Sequence, residues 1–529
     1  MHKSSIEAFT EIHGYSPRPV VAEALKLIDE SLEEGEGFLL VLSSPTGYGK
    51  SCCTAAIAEA HARLGGPIER LIHVLPLRSI VEDLYYKAED ARSRGRLRVT
   101  VGAQAMHILD AAKCPYLLPR LTYTTLDSFV HSLFKRPVRE MDRLYSHFDV
   151  PRYAIYTSMV VFDESHLYAG DEPRGISRMF TAFLAALEAL TSAAVPVAVM
   201  TATLPSSYYD RLLSSYLRVK AVLVDFDPSI DGLSIDELPL RFGKKALRIR
   251  VGDPSFTLQA KLNNPSIEGF ISEARLLPTV TRLVDEGRSL LLVRNTVAKA
   301  IDTYRLLKDK VAVSCFLLHA RMSTGDRLRS LTSVRRALDS GEPVLLVSTQ
   351  VVEAGVDLSF DALITDAAPI SSIVQRVGRV SRKPGSKPGI VYIIEGLGDG
   401  VYDPSTVELT VNKLKQVKEV MWRLPKSVDG VAGFKEILDQ VETTPPNEDK
   451  EVKRCLLELD GYVEADVQAR ELLRALCSFV RDEGLVTVSS GVNGGATWLT
   501  VYETLIPLSL SYLAKRWRRI LDVDDEGLG

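Results

Sequence analysis

Ser44-Pro45-Thr46-Gly47-Tyr48-Gly49-Lys50-Ser51 stands between two segments of different texture. Before it runs the apolar Phe38-Leu39-Leu40-Val41-Leu42, and after it an Ala-rich segment from Cys52 to Arg63. The short apolar run reads as a buried strand and the Ala-rich segment as a helix. Strand, glycine-bearing loop, Gly-Lys-Ser and helix together form a phosphate-binding loop. Its glycines let the backbone turn tightly, so that Pro45–Ser51 wraps one anion, with the successive N–H groups after Pro45 aimed at it. The new helix adds the positive end of its dipole. In such a loop Lys50 reaches the β- and γ-phosphates and the Ser51 hydroxyl ligates Mg²⁺. The usual pattern opens on Gly where this chain has Ser44, so the motif is carried by its Gly-Lys-Ser end. Taken alone, it competes with a plain strand-loop-helix turn bearing a surface Lys.

The bulk properties are those of a large globular protein. A length of 529 residues exceeds one ordinary core and predicts two to four domains. Apolar residues at 46% and charged residues at 25% are ordinary for a water-filled environment. The net charge of -4 gives no global basic field, so any polyanion site must be a local groove. Six cysteines contain no CxxC and none adjoins a His. That excludes a disulfide framework and a zinc site, and fits a reducing cytoplasm. Met1–Thr10 shows no basic-then-apolar leader, so a cytoplasmic protein is expected. Met179 to Met200 is apolar enough to suggest a membrane span, but Glu188, Thr191, Ser192 and Pro196 interrupt it. A buried helix followed by a strand is the better reading, with no membrane contact.

Along the chain, apolar runs alternate with helical patterns. Runs at 38–42, Leu71–Leu75, Val99–Val101, Met159–Phe162 and Val195–Met200 lack strict alternation, as expected for strands covered on both faces. Alternating strand and helix predicts a parallel sheet with right-handed crossovers. Residues 227–268, rich in Asp, Gly and Pro, read as a bridge holding a lone strand at Leu247–Val251. A second series then offers strands at Ser289–Val293, Val311–Leu317, Val344–Val347, Leu363–Thr365 and Val391–Ile394. Helices are expected at Thr296–Lys308 and about Asp326–Leu338. The chain is therefore read as an α/β protein: domain 1 over 1–226, the bridge over 227–268, domain 2 over 269–399. A smaller accessory region, 400–529, follows. There Val407–Trp422 and Ala465–Asp482 read as helices, and Leu485–Ser490 with Thr497–Thr504 as a hairpin. The run Lys515-Arg516-Trp517-Arg518-Arg519 reads as the solvated face of a last helix rather than a nucleic-acid grip.

Three further motifs bear chemistry. Asp163-Glu164-Ser165-His166 follows the strand Met159–Phe162. A carboxylate there faces the crevice at the carboxyl end of a parallel sheet. Asp163 would hold Mg²⁺, and Glu164 would orient and polarise the attacking water. His166 would report the state of the site to neighbouring motifs. Thr201-Ala202-Thr203, after Val195–Met200, places two small hydroxyls where Thr201 and Thr203 can hydrogen-bond the acidic pair and move with it. Gln375-Arg376-Val377-Gly378-Arg379-Val380-Ser381-Arg382 puts Gln375, Arg379 and Arg382 near one face at helical spacing. Two guanidiniums aimed at one point suit a polyphosphate transition state, where an arginine finger contributes roughly 10³–10⁵ in rate.

This ordered set, from about 44 to 382, resembles the superfamily 2 nucleic-acid helicases and translocases. Within them, Phe162-Asp163-Glu164-Ser165-His166-Leu167-Tyr168, Thr349 to Asp361 and Gln-Arg-Val-Gly-Arg-Val-Ser-Arg are similar to the CRISPR-associated type I interference helicase. The resemblance implies two tandem RecA-like domains with ATP and Mg²⁺ between them, and a C-terminal accessory domain. It implies ATP-driven movement on single-stranded DNA and recruitment by a guide-RNA surveillance complex. Carried onto matching positions, it gives Pro76, Arg78, Thr124, Thr125, Asn295, Arg321, Thr349 and Gln350 as nucleic-acid contacts. It gives Gly355 and Asp357 as nucleotide contacts. Two departures stand out. No Gln occupies Pro17–Val21, where relatives place an adenine-reading Gln, and the chain has no His-Asp dipeptide. A separate HD-type nuclease subunit is therefore expected. The competing readings are a general repair or remodelling helicase and a weakly hydrolysing recruitment scaffold.

Overall fold

The computed structural model describes residues 3–105, 113–137, 147–169, 175–214, 219–240, 245–355, 357–382, 387–461, 469, 471–472, 475, 479–480, 485–489, 504–509 and 512–513. By internal contact the chain divides into two units, one of 1–170, 174–254 and 443–482, the other of 171–173, 255–442 and 483–529.

The first unit is built on nine strands: β1 (Phe38–Ser43), β2 (Arg70–Leu75), β3 (Val101–Gln104), β4 (Leu121–Thr125), β5 (Ser158–Phe162), β6 (Val197–Thr201), β7 (Lys220–Phe226), β8 (Leu233–Pro239) and β9 (Lys245–Val251). They lie in the order β3-β4-β2-β5-β6-β1-β7-β9-β8. Only the β8–β9 pair is antiparallel. Strands β1, β2, β5 and β6 are buried along their whole length, as a parallel sheet with both faces covered requires. Helix Pro19–Glu34, with Pro at its first position and Gly35 closing it in the left-handed region (φ 70°), buries Val21, Leu25, Ile28 and Leu32. Helix Arg178–Ser192 buries Phe180, Phe183, Leu187 and Leu190 in a cluster that includes Leu39 and Val41 of β1. The apolar stretch 179–200 is thus a covered helix plus β6. Among the described residues no helix is long and apolar enough to cross a membrane.

Strands β4 and β7 fall outside the runs expected from the sequence. β4, Leu-Thr-Tyr-Thr-Thr, is fully buried because its hydroxyls find carbonyls, Thr124 donating to Gln104 O at 2.9 Å. β7 begins with an exposed Lys220 and ends at Asp225-Phe226. The expected bridge 227–268 is also corrected. Leu247–Val251 is not a lone strand but part of β9, paired with both β7 and β8. The first unit continues to Pro254, and the remainder belongs to the second.

The second unit carries β10 (Ser266–Ile271), β11 (Leu290–Val293), β12 (Ser314–Leu318), β13 (Val344–Ser348), β14 (Ala362–Asp366) and β15 (Ile390–Ile394). They form an all-parallel sheet in the order β10-β15-β14-β11-β13-β12. Apolar clusters cover both of its faces. Helices Val297–Leu307 and Thr324–Ser340 fall where the periodicity places them, each started by a hydroxyl cap, Thr296 and Ser323.

The 400–529 region does not form one body. Helix Pro404–Val417 starts on an Asp403 cap, and Lys418 (φ 58°) lies beyond its end, short of Trp422. The Trp422 indole donates to Pro265 O at 3.0 Å. Helix Lys450–Gly461, in contrast, packs in the first unit's core through Val452, Leu456 and Leu459. Its Asp460 carboxylate accepts from Arg152 at 2.8 Å and from Tyr156 at 2.7 Å. Strand β16 (Leu485–Ser489) pairs antiparallel with β17 (Leu505–Ser509), not with 497–504, which apart from Thr504 lies outside the described residues. Most of 465–482 and all of 515–519 lie outside them too.

Candidate active site

The sheet order brings the sequence motifs of the first unit to one edge. The loop 44–49 leaves the carboxyl end of β1, Thr201 ends β6 beside it, and Asp163 follows β5, the next strand over. Ser44 N–H donates to Thr201 O at 3.2 Å, which ties the start of the loop to β6. Gly47 and Gly49 take φ of 78° and 98°, a region that a β-carbon disfavours. Lys50 opens the turn that leads into helix Cys53–His61. Its ammonium is buried and donates to Ser44 O at 2.6 Å and Pro45 O at 3.1 Å, curling back over the loop.

Tyr48 turns the other way. Its ring is buried, and its hydroxyl donates to Asp253 Oδ2 at 2.9 Å. The Arg18 guanidinium lies 5.5 Å from the ring centroid and 3.6 Å from Asp253. Burial, with the Asp253 charge beside it, pushes the phenol well above its ordinary range. Tyr48 is thus an anchor for the loop, and only its backbone is left to face a ligand.

Asp163 is fully buried. Its Oδ2 accepts the Ser51 hydroxyl, and its Oδ1 accepts the Glu164 N–H at 2.7 Å. Burial alone would raise its pKa; the His73 imidazole, the Ser51 hydroxyl and the Lys50 charge outweigh burial and hold it below the usual value. At Lys50 burial favours the neutral amine, against the pull of Glu164 and Asp163, and the net direction is down. His166 is pushed down to about 3 by burial and by Lys50, so its ring is neutral at physiological pH. Its Nδ1 lies 3.6 Å from Glu164 Oε2. Glu164 itself sits at φ 48°, a left-handed conformation that costs a non-glycine residue about 1–3 kcal/mol and clusters at functional sites. Thr201 is buried at the end of β6, but its hydroxyl has no hydrogen-bond partner and does not reach the acidic pair as expected. Thr203 is buried two residues on.

In the second unit the motif residues lie past β13 and along helix Ile370–Val377. Gln375 is buried on that helix. Arg379 and Arg382 do not continue its face. The helix stops at Val377, and the chain then crosses to Phe360, with Ser381 at φ 47°. Arg379 donates to the carbonyls of Val352 and Glu353, at 2.9 Å for the first. Arg382 pairs with Asp357 at 2.8 Å, so two residues expected at the nucleotide hold each other. Gly355 takes φ 74° in the turn before them.

Arg376, which motif reasoning passed over, is the most enclosed cation of this unit. It donates to Glu353 Oε1 at 2.8 Å, Thr365 Oγ at 2.7 Å, Asn295 Oδ1 at 3.2 Å and Tyr402 Oη at 2.9 Å. Burial raises the Glu353 pKa, only partly countered by Arg376. Asn295 spends its amide on Ala367 O at 2.8 Å, and Gln350 spends its own on Asn295 O at 2.8 Å. Of the other residues expected at nucleic acid, Pro76 and Arg78 follow β2, and Thr124 and Thr125 end the adjacent β4. Thr125 caps helix Leu126–Leu133. Thr349 is buried after β13, and Arg321 is exposed, its guanidinium 4.6 Å from the Tyr512 ring centroid.

His73 also escaped the sequence reading, although a His inside the run Arg70-Leu-Ile-His-Val-Leu75 is a visible anomaly. It is completely buried on β2, and its Nε2 lies 3.4 Å from Asp163 Oδ2.

The donor set fits a magnesium–nucleotide. Ser51 and Asp163 offer hard oxygens on one another, Lys50 a buried cation, and the 44–51 loop two glycine turns.

Residues 19–212 match the DEAD/DEAH box helicases, and residues 286–385 match the C-terminal part of the CRISPR-associated nuclease/helicase Cas3. The chain is 24% identical over 417 residues to the Cas3 nuclease/helicase of Streptococcus thermophilus, covering 72% of this chain and 43% of that one. It is 24% identical over 401 residues to the CRISPR-associated helicase Cas3 of Thermoproteus tenax, covering 73% and 61%. It therefore spans about half the length of such relatives. The fold is similar to that of T. fusca Cas3 with ATP, at a TM-score of 0.65 and 18% identity over 98% of this chain and 69% of that one.

Proposed function

We propose that this chain, a Cas3-like superfamily 2 helicase, is an ATP-dependent motor on single-stranded DNA. In this reading it acts in the cytoplasm, in antiviral interference, under the direction of a guide-RNA surveillance complex. One observation carries the reading. Lys50, Ser51, Asp163 and Glu164 converge at the carboxyl ends of β1 and β5, the parallel strands on either side of β6, with Ser51 and Asp163 already in contact.

Lys50 and the loop N–H groups hold the phosphates, and Ser51 with Asp163 holds Mg²⁺. Held by Ser51 and Asp163, a magnesium ion would supply positive charge to the triphosphate. Glu164, in the left-handed backbone region and partly open to solvent, orients the attacking water and takes up its proton. Neutral His166 beside it supplies a hydrogen-bonding ring without a competing positive charge. The acidic segment is tied to β6 through its backbone, Ser165 N–H donating to Met200 O at 3.0 Å, and Thr203 follows the end of that strand. In the second unit Gln375, Arg379 and Arg382, with Gly355 and Asp357, are the residues assigned to ATP turnover. Arg78 and Arg321 grip the DNA backbone without reading sequence, as a motor requires, and the buried Pro76, Thr124, Thr125 and Thr349 shape the strand ends behind them. Asn295 and Gln350 act there by shaping the turn after β13 rather than through free side chains. A nuclease carried on a separate polypeptide is part of this proposal, and it is supported by the Thermoproteus tenax relative, which is named for helicase alone.

The test is ATP turnover with single-stranded DNA, duplex DNA, RNA and no nucleic acid. Stimulation by single-stranded DNA is expected, and a Glu164→Gln variant should bind ATP and not turn it over. Near-normal turnover in that variant would refute the assignment.

A further inference from the structure

We infer that His73 is a positioning residue that aims the Asp163 carboxylate at the magnesium ion; the inference rests on the function proposed above. The geometry is a closed circuit of four side chains and one carbonyl, linking β2, β5 and the helix after the phosphate loop. Ser51 hydroxyl donates to Asp163 Oδ2, and His73 Nε2 stands 3.4 Å from that same oxygen. On the far side of the ring, His73 Nδ1 lies 3.0 Å from Thr54 Oγ, which in turn lies 3.2 Å from Ser51 O. The Tyr123 ring, 5.4 Å away between centroids, walls the imidazole on one side.

The division of labour at Asp163 gives the reason. Oδ1 is committed to the Glu164 N–H, which fixes one end of the carboxylate. Oδ2, shared by Ser51 and His73, is the end that a cation would take. His73 Nε2 has no hydrogen-bond partner of its own, and Asp163 is the acceptor it faces. A ring held by Thr54 and directed at a metal-binding carboxylate restricts its rotation about the Oδ1 contact, as outer-shell partners of metal ligands do. Asp163 alone cannot achieve this, because Ser51 must itself turn toward the metal.

The two ring nitrogens can be tested apart. Gln at 73 replaces Nε2 and keeps a donor toward Asp163; Asn replaces Nδ1 and keeps only the Thr54 side; Leu keeps neither. Binding of a fluorescent N-methylanthraniloyl-ATP by the full chain is measured against Mg²⁺ concentration, beside thermal unfolding without ligand. For His73→Leu and His73→Asn the Mg²⁺ concentration at half-saturation should rise roughly 10–100-fold. His73→Gln should stay within about threefold of wild type, and Mg²⁺-free nucleotide affinity should be unchanged in all three. Rescue by Asn rather than Gln would overturn the inference in favour of a purely structural link to Thr54. So would a parallel loss of Mg²⁺-free affinity and unfolding midpoint. Unchanged Mg²⁺ dependence in His73→Leu would overturn it while leaving the motor reading intact. A wild-type chain with no Mg²⁺-dependent nucleotide binding would remove the motor reading, and this inference with it.

Discussion

The two units handle buried charge in opposite ways. In the first, Lys50, Asp163 and Glu164 are crowded together, yet the ammonium reaches only carbonyl oxygens by hydrogen bond and leaves the carboxylates to other partners. In the second, Arg376 is paired with Glu353 and satisfied by four further acceptors, while Arg294 is held by both Glu273 and Asp366. Charge left incompletely matched in a low-dielectric site is available to a ligand; charge fully matched is structure. The lesson is that three arginines within one motif, Arg376, Arg379 and Arg382, have different duties that spacing alone does not reveal.

The sharpest way to break this contrast is at Arg379 and Arg382. Alanine at either should lower DNA-stimulated ATP turnover by roughly 10³–10⁵, the range for an arginine finger, in single-turnover kinetics. A loss below about tenfold would place both with Arg376 as scaffold. Next comes Glu164→Gln, expected to cost roughly 10²–10⁴ in turnover with nucleotide affinity retained by equilibrium titration.

Arg376→Met should act on stability instead. Removing one partner of a buried pair costs about 3–5 kcal/mol, read as a lower denaturation midpoint. An Arg376→Met/Glu353→Leu double variant should recover part of that loss, because no lone charge remains buried.

The units should also respond differently to acid. His166, held down to about 3, is neutral when folded but takes a proton near pH 6.5 when unfolded. Its contribution is present above pH 6.5 and is lost as pH falls toward 3, at up to about 1.4 kcal/mol per pH unit. Asp163, depressed, contributes above the ordinary carboxylate range and loses that contribution as pH falls below it. Glu353, raised, has the opposite sign: its contribution is present below its unfolded value and lost as pH rises through its folded one. Unfolding followed from pH 7 to 5 should therefore show a shallower slope for His166→Gln than for wild type. The smallest effect is expected from Arg382 on stability. Its partner Asp357 is 74% exposed, so Arg382→Ala should change unfolding by less than about 1 kcal/mol.

The amino-acid sequence by itself determined the alternation of buried strand and helix, the glycine turn before Lys50, and the acidic pair after β5. These are local: a run of Val, Leu and Ile, or a Gly-Lys-Ser after it, has one good conformation whatever lies far away. It also located the helices 297–307 and 324–340 through their period and hydroxyl caps. Only the tertiary structure decided the rest. β4 can be buried because Thr124 finds a carbonyl on the neighbouring β3, and 443–461 returns to the first unit, where Asp460 meets Arg152 and Tyr156, about 300 residues earlier in the chain. Tyr48 became an anchor through Asp253, and His73 and Arg376 gained their roles from Asp163 and Glu353. Each of those facts depends on a partner distant in sequence, and a polar side chain's duty is set by the group it meets when the chain closes.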